Sequence, residues 1–140
     1  MTHYRKIYRD TVRSALQADA AFTDFTVMSA WAHNLDIDDV PAFGVATPQE
    51  TKRLDSLDSS ERETQLVVIL KIKGGDAIED LMDGFSELVE PIVITALSGP
   101  ASECLLTNTT TKVDGGGEVR VGTLTMEFSV KAWLAEPLAE

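Results

Sequence analysis

Hydrophobic positions recur along this chain with two periods, and the switch between them divides it into elements. Tyr4, Tyr8, Val12, Ala15 and Leu16 fall at helical spacing, with Arg5, Arg9 and Arg13 on another face, so Tyr4 to Ala20 reads as an amphipathic helix. The basic stripe is either a partner surface or a solvated face that offsets an acidic remainder. Phe25 to Ala32 gathers aromatic and β-favouring residues, Asn34 to Asp39 supplies a polar turn, and Pro41 to Ala46 makes a second short extended segment. These two segments are expected as a hairpin or as neighbouring edge strands. Pro41 belongs at a strand start or an edge, because it has no N–H to donate to a ladder.

From Thr47 to Glu63 the chain is almost wholly polar, with Leu54 and Leu57 its only apolar residues, and it is expected to form a long mobile loop. The strongest strand follows. Leu66, Val68, Leu70 and Ile72 point one way, and Gln65, Val67, Ile69, Lys71 and Lys73 the other, so its middle is apolar on both faces and belongs centrally in a sheet. Gly74 and Gly75 break it. Asp76 with Glu79 then predicts a capping box at the start of a second helix. Along that helix Ile78, Leu81, Met82, Phe85, Leu88, Val89, Ile92, Ala96 and Leu97 trace a wide apolar face, and Glu79, Asp80, Asp83, Glu87 and Glu90 an acidic one. Pro91 predicts a kink or a fresh helix start, and Gly99-Pro100 a stop. The end reads as a hairpin: Thr-rich Cys104 to Val113, a turn at Asp114 to Gly117, and a return strand from Val119 to Leu134.

The predicted order is α-β-β-loop-β-α-β-β, which favours an α+β fold: a mostly antiparallel sheet with two helices packed on it. At 140 residues the chain supports one hydrophobic core, so residues 1–140 are expected as a single domain carrying a mobile polar loop at 47–63.

Charge narrows the function classes. The chain has 23 Asp and Glu against 12 Lys and Arg, a formal net charge of −11, which disfavours a nucleic-acid binder needing a basic face. Acidity suits a surface past which DNA slides without sticking. A lone Cys104 allows neither an internal disulfide nor a multi-cysteine zinc site, and is expected to pack in the core. Without the apolar run of a secretory signal or a span of about 18 apolar residues, the chain is expected to fold in the cytoplasm, away from membranes.

Catalytic and metal-binding patterns fall short. His3 and His33 are the only histidines, and Ser86 lies on a predicted helix in Gly-Phe-Ser-Glu-Leu, without the second glycine of a nucleophile elbow. Asp36, Asp38 and Asp39 cluster, but counting from Asp36 the sixth position is Pro41 rather than glycine and the twelfth Thr47 rather than glutamate. Asp114 to Gly117 lacks the Lys-Ser/Thr and the following helix of a phosphate loop. No enzyme activity, metal or cofactor is expected. Core packing is the expected role of Trp31 and Trp133, with interface anchoring the alternative.

Taken in order, the N-terminal helix ending in Leu16, the Val40-Pro41-Ala42-Phe43-Gly44-Val45 segment, the charged stretch, the strand Leu66 to Ile72, the helix Asp76 to Leu97 and the hairpin ending in Gly122-Thr-Leu-Thr-Met-Glu-Phe-Ser-Val130 resemble the tail terminators of long-tailed phages, the family of minor tail protein U and its relatives. The resemblance spans nearly the whole chain and rests on the order and length of the elements. It implies a structural virion protein at the tail–neck junction of a phage or a gene transfer agent, assembled in the host cytoplasm. Such a protein forms a homo-oligomeric, usually hexameric, ring. The ring caps the tail tube protein, stops polymerisation and offers a surface to a neck or head-completion protein, while DNA passes through without specific binding. A cap of this kind needs shape and charge. The expected partner-binding residues are Lys52, Arg53, Glu61, Arg62 and Glu63, with Arg5, Arg9 and Arg13 as a second group. The alternatives are another neck or head-completion (stopper) protein and, from another class, a small hot-dog-like enzyme, which normally needs more strands after its long helix than the two found here.

Overall fold

The computed structural model of the protein describes residues 3–28, 40–54, 56, 58–115 and 119–135. Helix α1 spans Tyr4–Gln17 and opens on His3, whose ring accepts a hydrogen bond from the Arg5 N–H at 3.1 Å. Its apolar stripe buries Val12 and Leu16. A single 3-10 turn at Ala20–Phe22, capped by the Asp19 carboxylate, brings Phe22 into the core. Then come β1 (Thr26–Met28), β2 (Ala42–Leu54), β3 (Ser59–Gly74), α2 (Ile78–Leu97), β4 (Ser102–Asp114) and β5 (Arg120–Ala135). The five strands form one sheet in the order β1-β2-β3-β5-β4, antiparallel throughout except for the β1–β2 pair. This is the α+β architecture expected from the pattern of elements.

Both helices pack on one face of the sheet. Leu66, Val68, Leu70 and Ile72 of β3 and Leu124, Met126, Phe128 and Val130 of β5 meet Val12 and Leu16 of α1 and Ile78, Met82, Val89 and Val93 of α2 in one cluster. At about 25 cal/mol per Å² of apolar surface removed from water, this layer is the principal stabilising contact. Gly122 permits the closest approach: a Cβ there would lie 2.9 Å from Met82 Sδ and 3.1 Å from Ile78 Cδ1. On the opposite face of β3, Val67 and Ile69 are also buried, in keeping with the central position expected for that strand.

Four expectations are corrected or narrowed. The polar stretch 47–63 is not a loop: β2 runs to Leu54 and β3 starts at Ser59, so most of it forms the paired arms of a long hairpin. Its side chains bury little, but its backbone is satisfied by ladders, because β3 pairs with β2 on one side and β5 on the other. Second, of the two arrangements expected for these segments, the hairpin is excluded and neighbouring strands at the sheet edge are found: β1 and β2 are parallel, in register from Thr26/Ala42 to Met28/Gly44. Pro41 sits just before β2, where no ladder N–H is required. Third, the capping box is not formed. The N-cap of α2 is Ala77 without a side-chain cap, and Asp76 instead lies 3.6 Å from the Arg120 guanidinium. Fourth, no fresh helix starts at Pro91, because α2 runs through it as one helix. Pro91 is on the exposed side, while Val89, Val93 and Leu97 hold the segments before and after it in the core. Among the described residues no helix is long and apolar enough to cross a membrane.

Candidate interaction surface

Strand alternation sorts the hairpin arm and β5 into two chemically distinct sides. On the helix side, Glu50, Arg62 and Thr64 reach the start of α1. The Tyr4 hydroxyl donates to Glu50 Oε1 and accepts from Arg62 Nη1 at 3.1 Å, and Thr64 Oγ1 donates to the same carboxylate oxygen at 3.3 Å. Arg62 Nε donates to Ser60 Oγ at 3.3 Å, and its guanidinium carbon stands 5.8 Å from the centre of the Tyr4 ring. Arg62 and Glu50 approach to 3.8 Å, with only 14% and 15% of their side chains exposed. Burial first, and then the hydrogen bond to Glu50, pushes the Tyr4 phenol above its ordinary pKa.

On the side that carries no helix among the described residues, cross-strand registers place polar residues in rows: Arg53–Glu61–Trp133, Thr51–Glu63–Lys131–Glu103 and Gln65–Ser129–Leu105. The groups hold one another in place. Ser129 Oγ donates to Glu63 Oε1 at 3.0 Å, and Lys131 Nζ lies 4.0 Å from Glu61. Gln65 and Asn108 donate to the two oxygens of Glu127 at 3.0 and 2.9 Å. A shallow groove of about 300 Å³ runs between Gln49, Thr51, Glu63, Gln65, Thr107 and Ser129. Trp133 and Leu105 rise beside it, 42% and 49% exposed. Such a surface offers fixed shape and charge, with its carboxylates already engaged by neighbours.

The expected partner-binding residues separate accordingly. Arg53, Glu61 and Glu63 come together on the open face, around a small recess shared with Thr51 and Lys131. Lys52 is exposed and lies opposite Arg62 in the β2–β3 register. Arg62 itself is turned inward against Tyr4 and Glu50, so its role is to tie α1 to the arm. The stripe on α1 is also largely engaged within the domain. Arg9 Nη1 donates to Thr47 Oγ1 at 2.6 Å, Arg13 pairs with Asp10 at 3.0 Å, and Arg5 leans on His3. Sequence reasoning placed Trp133 in the core more readily than at the surface. The signal for its exposure is parity: it shares its face with Ser129 and Lys131, opposite to Val130 and Ala132. Cys104 is buried as expected, and burial pushes its thiol up to about 11. Trp31, His33, Asp36, Asp38 and Asp39 lie outside the described residues. No group of His, Cys, Asp and Glu suited to a metal occurs among the described residues.

Among the described residues, the site and fold together define a two-layer α+β domain with one sheet face that carries no helix. No protein-family model matches the chain, and no curated protein matches it.

Proposed function

We propose that this chain is a tail terminator subunit, a structural protein that caps a tail tube as a ring and presents a neck-binding surface at the tail–neck junction. One observation carries the reading: at the far end of the sheet, exposed apolar and charged side chains stand together on the β2–β3 arm and β5. Leu54 on the helix side is 68% exposed, and Trp133 on the other side 42%, with Lys52, Arg53 and Glu61 between them. A rigid, mixed-charge arm with an exposed aromatic suits docking against a repeating tube surface, since aromatic and arginine side chains concentrate binding energy at interfaces. The resemblance in order and length of elements supports the same reading. Tube growth is heterologous stacking with no intrinsic end, so a subunit matching the tube below and mismatching it above is what stops it.

Electron micrographs of particles from a deletion strain test the proposal. The expected result is tails of uncontrolled length without heads, restored by the wild-type chain and less well by Arg53→Glu combined with Trp133→Ala. Tails of normal length carrying attached heads in the deletion strain refute it.

A further inference from the structure

Two surfaces on opposite sides of the domain carry opposite charge that is largely uncompensated. The first is the outer side of α2, which has no Lys or Arg in its 20 residues. Glu79, Asp80, Asp83 and Glu87 are exposed there, and none has a cation partner among the described residues. Glu79 and Asp80, in the first turn, are favoured by the helix dipole, but Asp83 and Glu87 lie beyond its reach. Between these carboxylates Leu81 and Leu88 are 46% and 40% exposed, and a Cβ on Gly84 would meet nothing within 4 Å, so another surface can approach closely.

The second surface lies on the sheet face that carries no helix. Lys71 pairs in register with Thr123, and Thr123 with Lys112, so the two lysines point the same way across β3, β5 and β4. Lys73, two residues along β3, joins them. Lys112 is shared with Asp114 at 3.8 Å, whereas neither Lys71 nor Lys73 has an ion-pair partner among the described residues. In a chain of net charge −11, such a patch stands out against its background. The spacings agree as well: Lys71 and Lys73 are about 7 Å apart along the strand, and Glu79 and Asp83 about 6 Å apart along the helix.

We propose that copies of this chain associate head to tail, with the outer face of α2 from one copy seated on the Lys71–Lys73–Lys112 patch of the next. A single copy cannot bring the two surfaces together, because the sheet lies between them. The contact is therefore heterologous and repeats from copy to copy, closing into a ring if the rotation permits. The inference deepens the terminator proposal and rests on it only for that closure. Leu81 and Leu88 supply apolar area, and the charges set register and partner choice.

Two surface variants test it in sedimentation velocity at low ionic strength and high protein concentration, with circular dichroism to verify folding. In Lys71→Glu/Lys73→Glu both surfaces are acidic, and in Glu79→Lys/Asp80→Lys/Asp83→Lys/Glu87→Lys both are basic. Each alone is expected to self-associate on the order of a hundredfold more weakly than wild type. An equimolar mixture regains association, because every contact in an alternating assembly then joins opposite charges. Wild-type association that neither variant weakens, or a mixture that stays monomeric, overturns the contact, as does a wild-type chain that remains monomeric throughout. Imaging separates this outcome from the terminator reading. Rings that survive both variants leave the ring and remove this interface, whereas variant-sensitive association into open filaments keeps the interface and removes the ring.

Discussion

Replacing Arg62 with alanine should destabilise the domain although the residue lies in a polar stretch far from the apolar core. At 3.8 Å from Glu50, with side chains 14% and 15% exposed, the pair has a gross attraction of about 4 kcal/mol at an effective dielectric of about 20. Desolvation of both ions offsets much of that, so a coupling of about 1–2 kcal/mol is expected between them. The single replacement costs more than the coupling. It leaves the Glu50 carboxylate mostly buried without its cation, removes a hydrogen bond to Tyr4 Oη and strips the guanidinium from the Tyr4 ring. We expect Arg62→Ala to lose about 2–4 kcal/mol, lowering Tm by on the order of 10 °C, and Glu50→Gln/Arg62→Met to recover part of the loss. Urea unfolding of Arg62→Met, Glu50→Gln and the double variant Glu50→Gln/Arg62→Met measures the cycle. A loss below about 0.5 kcal/mol for Arg62→Ala, or strict additivity in the cycle, refutes the assignment of this pair as the tie between α1 and the hairpin arm. Alkaline pH adds a second readout. Because burial and Glu50 raise the Tyr4 pKa above its ordinary 10.0, the folded chain keeps a proton that the unfolded chain loses. The associated stability is complete below about pH 10 and fades as pH rises through the raised value, and Tyr4→Phe should flatten that decline.

Gly122→Ala should cost about 1–3 kcal/mol, measured by urea unfolding, because the new Cβ crowds Met82 and Ile78; an additional Met82→Ala replacement should relieve the clash. Cys104, with its thiol raised from 9.0 to about 11 by burial, should resist alkylation at pH 8 in the native state, and its share of stability should be present below about pH 9 and lost by about pH 11; rapid native labelling at pH 8 contradicts its burial. Hydrogen exchange should be slow for the β3 arm at 60–65, paired on both sides, and uniformly fast exchange there refutes the hairpin arm.

How far the sequence reveals the fold depends on whether an element advertises itself through its side chains. The 3.6-residue period of Tyr4, Tyr8, Val12 and Leu16 and the period-two pattern of β3 and β5 did so, because their burial pattern is local to each element. The candidate surface was half legible. Mixed charge marked Arg53, Glu61 and Glu63, but whether a given charge faces solvent or the domain depends on strand parity and on what packs above it. Arg62 is one residue from Glu61 and so on the opposite face, beneath Tyr4 of a helix 58 positions earlier in the chain.

The sequence by itself determined the α+β class, the two helices, the central strand, the terminal hairpin and the acidic outer side of α2, since each follows from periodicity or composition within one segment. Only the tertiary structure decided that residues 47–63 extend as strands, that β1 runs parallel to β2, that Asp76 meets Arg120 rather than capping α2, and that Lys71, Lys73 and Lys112 share a face. The physical reason is common to all four. A polar strand is stabilised by hydrogen bonds to neighbours distant in sequence, and the register of those bonds, rather than the pattern of its own side chains, fixes where its charges point.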